Sequence, residues 1–139
     1  MIERIVRWAR KKSPWILHYN SGGCNGCDIE LLDVLTPRYD VERLGILKEA
    51  APRHADILIC TGPVTLKSRE PLLRIYEQIP EPRWVVALGS CACSGSVFAG
   101  SYHVLGGVDQ TLPVSMYVPG CPCRPEATIS SLAELLERI

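Results

Sequence analysis

Short, nearly unbroken apolar runs alternate along this chain with segments whose apolar residues recur at helical spacing. "WILHY" (15–19), "ADILICTG" (55–62), "RWVVALGS" (83–90) and "VSMYVPG" (114–120) read as strands, and "VERLGI" (41–46) as a weaker one. Between them, "DIELLDVL" (28–35) predicts a helix with Ile29, Leu32 and Leu35 on its apolar face, broken by "TPRYD". "LKSREPLLRIYEQI" (66–79) predicts an amphipathic helix with Pro71 in its first turns. A closing helix runs from Pro125 to Arg138, with Ile129, Leu132, Leu135 and Leu136 on one face and Pro125 suited to its first turn. Strands apolar on both faces and separated by helices predict an α/β fold of flavodoxin-like type, an open parallel sheet with helices on both sides. No repeat or long linker interrupts the 139 residues, which predicts a single domain over 1–139. The longest irregular stretch is the Gly-rich segment 95–107.

The first dozen residues have their own pattern. In "MIERIVRWARKK", Ile2, Ile5, Val6 and Ala9 fall at helical spacing while Arg4, Arg7, Lys11 and Lys12 take other faces. An amphipathic basic helix over about 1–12 is expected, lying on a membrane surface or docked on its own domain or a partner subunit. The segment has no secretory h-region, and no run approaches the roughly 18 apolar residues of a membrane span. A soluble or peripheral protein of the cytosol is expected. Fifteen basic residues balance fifteen acidic ones and there is one Phe. That composition offers neither the basic footprint nor the stacking platform of a nucleic-acid binder.

Seven cysteines change the picture. In a reducing compartment they point to metal ligands, reactive thiols or small core residues rather than a disulfide framework. Cys24 and Cys27 ("GGCNGCDIE") follow the first strand, Cys91 and Cys93 ("GSCACSG") follow the 83–90 strand, and Cys121 and Cys123 ("PGCPCRP") follow the last. In an open parallel sheet these loops leave the same edge, where ligands bind. Cys60 alone lies inside a strand, as a small buried hydrophobe. Thiolates from three loops fit a [4Fe–4S] cluster or a structural zinc, and a CxxC can also be a redox dithiol. Glycines beside each pair free backbone N–H groups for sulfur, which favours iron–sulfur. Two CxC pairs would crowd one tetrahedral zinc. The most economical ligand set is Cys24, Cys27, Cys91 and Cys121. Cys93 and Cys123 then pack near the cluster, or bind a second metal, or form a reversible disulfide with each other.

"CNGCDIE", "GSCACSG" and "PGCPCRPE", in this order, resemble the small subunit of nickel–iron hydrogenases and the related B (20 kDa) subunit of respiratory complex I. The resemblance runs from about Trp15 to the C-terminus. It implies a flavodoxin-like fold in which Cys24, Cys27, Cys91 and Cys121 hold the proximal [4Fe–4S] cluster beside the active site of a large subunit. The CxxC is similar to the hydrogenase branch, because complex I subunits carry adjacent cysteines there. The short chain resembles the small subunits of membrane-bound, energy-converting (group 4) hydrogenases. Uptake-type relatives add a C-terminal cluster domain and an export signal, and neither is expected here.

The implied role is electron transfer between a ferredoxin-like polyferredoxin subunit and the nickel–iron large subunit, in a complex with membrane subunits at the cytoplasmic face. Such an oxidoreductase subunit is not catalytic alone. The alternatives are a complex I-like or sulfur-reducing relative that uses quinone or sulfur, and a zinc-stabilised binding module. Two departures from the family pattern stand out: Cys123 where Pro is usual, and Gly95–Ser96 where paired glycines are usual.

Among the remaining polar residues, Asp28 suits the helix start by the macrodipole. Glu30 is a candidate for the partner interface or a proton path, Arg124, Cys93 and Cys123 for tuning the cluster, and Glu126 for a first-turn anion. His18, His54 and His103 are scattered and support no hydrolytic triad. No GxGxxG or P-loop motif is present.

Overall fold

The structure is a computed structural model that describes residues 1–139. Five strands form one parallel sheet: β1 (Trp15–Asn20), β2 (Leu47–Lys48), β3 (Ile57–Thr61), β5 (Trp84–Leu88) and β7 (Met116–Val118). Their order is β2-β1-β3-β5-β7. Counting only these five, that is the 2-1-3-4-5 order of flavodoxin-like sheets. A separate antiparallel ribbon pairs β4 (Val64–Thr65) with β6 (Val104–Gly106).

Both faces of the central strands β3 and β5 are apolar, because these strands send apolar residues to both sides. Ile57 and Ile59 of β3 join Ile16, Val86, Leu88, Met116 and Val118 beneath α2 (Gly26–Asp33) and α5 (Pro125–Arg138). Leu58 and Cys60 face the opposite way, with Leu17, Val85 and Ala87, under α3 (Leu66–Gln78) and α4 (Ser90–Ser94). Cys60 is fully buried as a small core residue, and burial pushes its thiol up to about 12. The predicted face of α5 is realised: Leu132, Leu135 and Leu136 are buried and Ile129 packs against them. Thr65 and Ser68 close a reciprocal capping box on α3, whose interior holds Pro71.

Four expectations are corrected. Residues 41–46 are not a strand. Val41–Leu44 form a 3-10 turn between left-handed Asp40 and Gly45, which buries Val41 and Ile46 while the true edge strand β2 is only two residues long. Gly45 is required there, since a Cβ would lie 2.0 Å from the Lys12 carbonyl oxygen. The apolar face predicted for α2 is also reversed. Leu31 and Val34 are its buried residues, whereas Ile29 and Leu32 are exposed and Leu35 only packs at the core's margin. The last strand is shorter than 114–120. Finally, segment 95–107 is not wholly irregular: it contains a 3-10 turn at Ser96–Phe98 and strand β6.

The N-terminal helix α1 (Ile2–Lys12) forms as predicted but buries none of its residues.

Candidate metal centre

The loops after β1, β5 and β7 leave the carboxyl edge of the sheet side by side. Gly89 N–H donates to Val118 O, Ser90 N–H to Gly120 O, and Gly120 N–H to Ser90 Oγ, which ties the second and third cysteine loops together. Asn20, the last residue of β1, organises the first. Its Oδ1 accepts from the N–H groups of Gly22 and Gly23 at 2.9 and 2.7 Å. Its Nδ2 donates to Asn25 Oδ1 and Asp28 Oδ2. Buried Ser21 fastens the same turn by donating its hydroxyl to Thr61 O and Gly62 O.

Between these loops lies an open cavity of about 420 Å³ whose wall includes Cys24, Cys27, Cys91 and Cys121 together with Gly23, Gly26, Gly62 and Gly120. The structure therefore brings the four sequence-predicted thiols to one space. Cys24 and Cys121 are exposed at its rim, and Cys27 and Cys91 are half-buried. The glycines keep the space open. A Cβ on Gly62 would lie 2.2 Å from Gly23 N, and one on Gly89 2.4 Å from Cys27 Sγ. No three His, Cys, Asp or Glu side chains gather tightly enough to serve a single metal ion. The four thiols border this volume together with glycine backbone.

Electrostatics separate the thiols. The neighbouring Cys123 thiol holds Cys27 below the ordinary thiol range, against burial and the carboxyl groups of Asp28 and Glu30. Cys123 is pushed up by that same pairing and by burial. Burial, aided by Cys121, raises Cys91. Cys27 is thus the thiol whose surroundings favour the thiolate, the form that binds metal.

The other predicted residues divide. Cys123 is buried behind the cavity, with Sγ 3.4 Å from Thr128 Oγ1. Cys93 is on the far side of α4, directed at Ala87 O at 3.5 Å, and borders a different hollow with Ser94, Gly107 and Asp109. All seven cysteines are free thiols. Glu30 is half-exposed in α2. Arg124 is exposed at the start of α5, where its charge helps lower the Glu126 carboxyl below the ordinary range after that residue's own backbone N–H.

Sequence reasoning missed a polar cluster behind the CxxC. Asp28 accepts from Thr61 Oγ1, from Asn20 Nδ2 and from His18 Nε2, the last at 3.1 Å. Burial lowers the His18 pKa more than the neighbouring Asp28 raises it. The available signal was His18 and Asn20 two apart on one strand face, with Thr61 opposite Asn20 in register.

The sequence matches the family described as "NADH ubiquinone oxidoreductase, 20 Kd subunit" over residues 24–135. A probable membrane-bound hydrogenase subunit, mbhJ, of Pyrococcus furiosus is 51% identical over 92% of this chain and 77% of its own length. An NADH-quinone oxidoreductase subunit of Citrifermentans bemidjiense is 45% identical over 99% of this chain and 79% of its own length. Among solved structures, a chain of an archaeal membrane-bound sulfane sulfur reductase superposes with TM-score 0.82 at 39% identity, covering 98% of this chain and 77% of that one. A chain of an NAD+-reducing [NiFe]-hydrogenase shares the fold, with TM-score 0.69 at 21% identity over 91% of this chain and 92% of that one.

Proposed function

The chain belongs to the family of the NADH ubiquinone oxidoreductase 20 Kd subunit, and on that premise we propose that it is the electron-transfer subunit of a membrane-attached nickel–iron hydrogenase. The observation that carries the reading is the meeting of Cys24, Cys27, Cys91 and Cys121 around one glycine-walled cavity at the carboxyl edge of the sheet. Those four residues would hold the proximal [4Fe–4S] cluster. When bound, the cluster supplies one-electron transfer at a potential set by its surroundings.

The chain's own residues prepare the site. Neighbouring Cys123 favours the thiolate form of Cys27, and glycine backbone leaves room around the sulfurs. Asn20 and Asp28 hold the loop between β1 and α2. Cys24 and Cys121 stand at the rim, on the outside of the subunit, where electrons enter or leave. The proposed neighbours are a nickel–iron large subunit, a ferredoxin-like subunit and membrane subunits, at the cytoplasmic face of the membrane. Glu30 is proposed to meet the large subunit, and Arg124 and Cys123 to tune the cluster; Cys93, across α4, would act only through packing.

Identity to the P. furiosus hydrogenase subunit and the CxxC itself favour hydrogen turnover. The close fit to the sulfane sulfur reductase chain supports a second reading, in which electrons end on sulfur or quinone. Anaerobic purification of the chain with its native partners decides between them. Iron and acid-labile sulfide of about four each for this subunit, with nickel in the complex, are expected. Iron and sulfide without nickel would move the endpoint to sulfur or quinone. Zinc without sulfide would overturn the cluster.

A further inference from the structure

We infer that helix α1 is a lipid-binding device, its apolar side seating on an anionic membrane surface while its polar side grips the domain. The attachment to the domain is made by polar groups. Arg10 Nε lies 3.0 Å from Asp56 Oδ1, Arg10 Nη1 donates to Pro82 O at 2.7 Å, and Lys11 Nζ reaches Glu137 O. These contacts leave the opposite side uncovered: Ile2 is 78% exposed, Ile5 59% and Trp8 63%. The uncovered side continues onto the domain, where Trp8 borders a groove shared with Leu44, itself exposed. Docking on its own domain is thus made by polar groups of α1, with Ile2 and Val6 bordering a hollow shared with Glu81 and Pro82.

Charge identifies the occupant. Five of the chain's fifteen Lys and Arg residues fall within Ile2–Lys12, against one acid, Glu3. An exposed apolar stripe with Trp, on a helix that also carries Arg4, Arg7 and Lys12, matches the composition of helices that lie in an anionic headgroup layer. No helix of the chain is long and apolar enough to cross a membrane, so surface seating is the mode this helix can supply. The geometry is orderly as well. Asp56 and Pro82 immediately precede β3 and β5, so α1 sits at the amino edge of the sheet. The cysteines leave the carboxyl edge, a strand length of about 17 Å away. Lipid would be met at one edge and electrons exchanged at the other.

The inference does not depend on the cluster, and its test needs none. The full chain is sedimented with phosphatidylcholine vesicles with and without about one third phosphatidylglycerol. Partition at least tenfold stronger into the anionic vesicles is expected, weakening with salt. The variant Arg4→Gln/Arg7→Gln should lose roughly fivefold per charge, and Ile5→Glu/Val6→Glu should lose association altogether. Because α1 buries no residue, both variants should keep the parent circular dichroism and melting temperature. The two variants probe charge and apolar contact separately. Three results would each overturn the proposal: no sedimentation with anionic vesicles, equal sedimentation with neutral ones, or parent-like behaviour of Ile5→Glu/Val6→Glu. The first would assign this face to a protein neighbour.

Discussion

A Cβ built on Gly89 would stand 2.4 Å from Cys27 Sγ, and the backbone there runs at φ +91°. Gly100 has nearly the same backbone, φ +85°, with nothing within 4 Å of a Cβ. The pair separates two costs that a single substitution confounds. Gly100→Ala should lose only the backbone term, about 1–2 kcal/mol. Gly89→Ala should lose that and also displace Cys27, so iron and sulfide per chain should fall by half or more while Gly100→Ala keeps the full content. Metal analysis and urea unfolding of both variants check it. At this scale the sequence was uneven. The cysteines were legible because thiol spacing and loop position carry chemistry in themselves. Gly89 was legible only as a neighbour of Cys91. Its real contact is with Cys27, sixty-two positions away, and that proximity depends on β1 and β5 flanking β3. The His18–Asp28–Thr61 cluster was hidden for the same reason, since it joins three elements.

Elements were most legible where the core surrounds them. β3 and β5 read correctly because both their faces are buried, and their apolar runs have no other use. α2 was read with the wrong face because it has only eight residues, with apolar side chains all around. Leu31 and Val34 take the core, and Ile29 and Leu32 are left outside. Residues 41–46 misled because Val41 and Ile46 are buried by a turn rather than by pairing. The join between α1 and the sheet also escaped notice, since it depends on one carboxyl group. Asp56 holds Arg10 through Oδ1 and the Trp15 N–H through Oδ2 at 3.0 Å. Burial holds the Asp56 carboxyl above its ordinary range despite both partners. The ion pair is thus a modest net contributor that is costly to break on one side. Asp56→Ala should cost about 2–3 kcal/mol, from a half-shielded guanidinium and an orphaned N–H. Asp56→Asn, which can still accept from Trp15, should cost less. Urea midpoints at unchanged m-value would check the order; equal losses would locate the stabilisation in the ion pair alone.

For the whole molecule, two groups of exposed apolar side chains stand at opposite edges of the sheet. One is on α1, at the amino edge. The other is on the elements that follow the cysteines: Ile29 is 65% exposed and Leu32 48% on α2, and Val97 85% and Phe98 44% just beyond α4. A free-standing domain gains nothing from large apolar residues around a thiol- and glycine-lined cavity, whereas a subunit that must seal that cavity against a neighbour does. Sealing also serves electron transfer, because a drier cluster is shielded from solvent and its potential is set by protein groups. Ile29→Glu/Leu32→Glu should therefore leave folding and iron content of the chain unchanged, because neither side chain is in the core. It should cut recovery of the proposed large subunit in anaerobic co-purification by tenfold or more, since a charge forced into a closed interface leaves an unpaired buried group. Unchanged recovery of the large subunit would remove α2 from that interface and leave the segment around Val97 and Phe98 to carry it. Loss of iron together with the partner would mean that these two residues support the first cysteine loop itself.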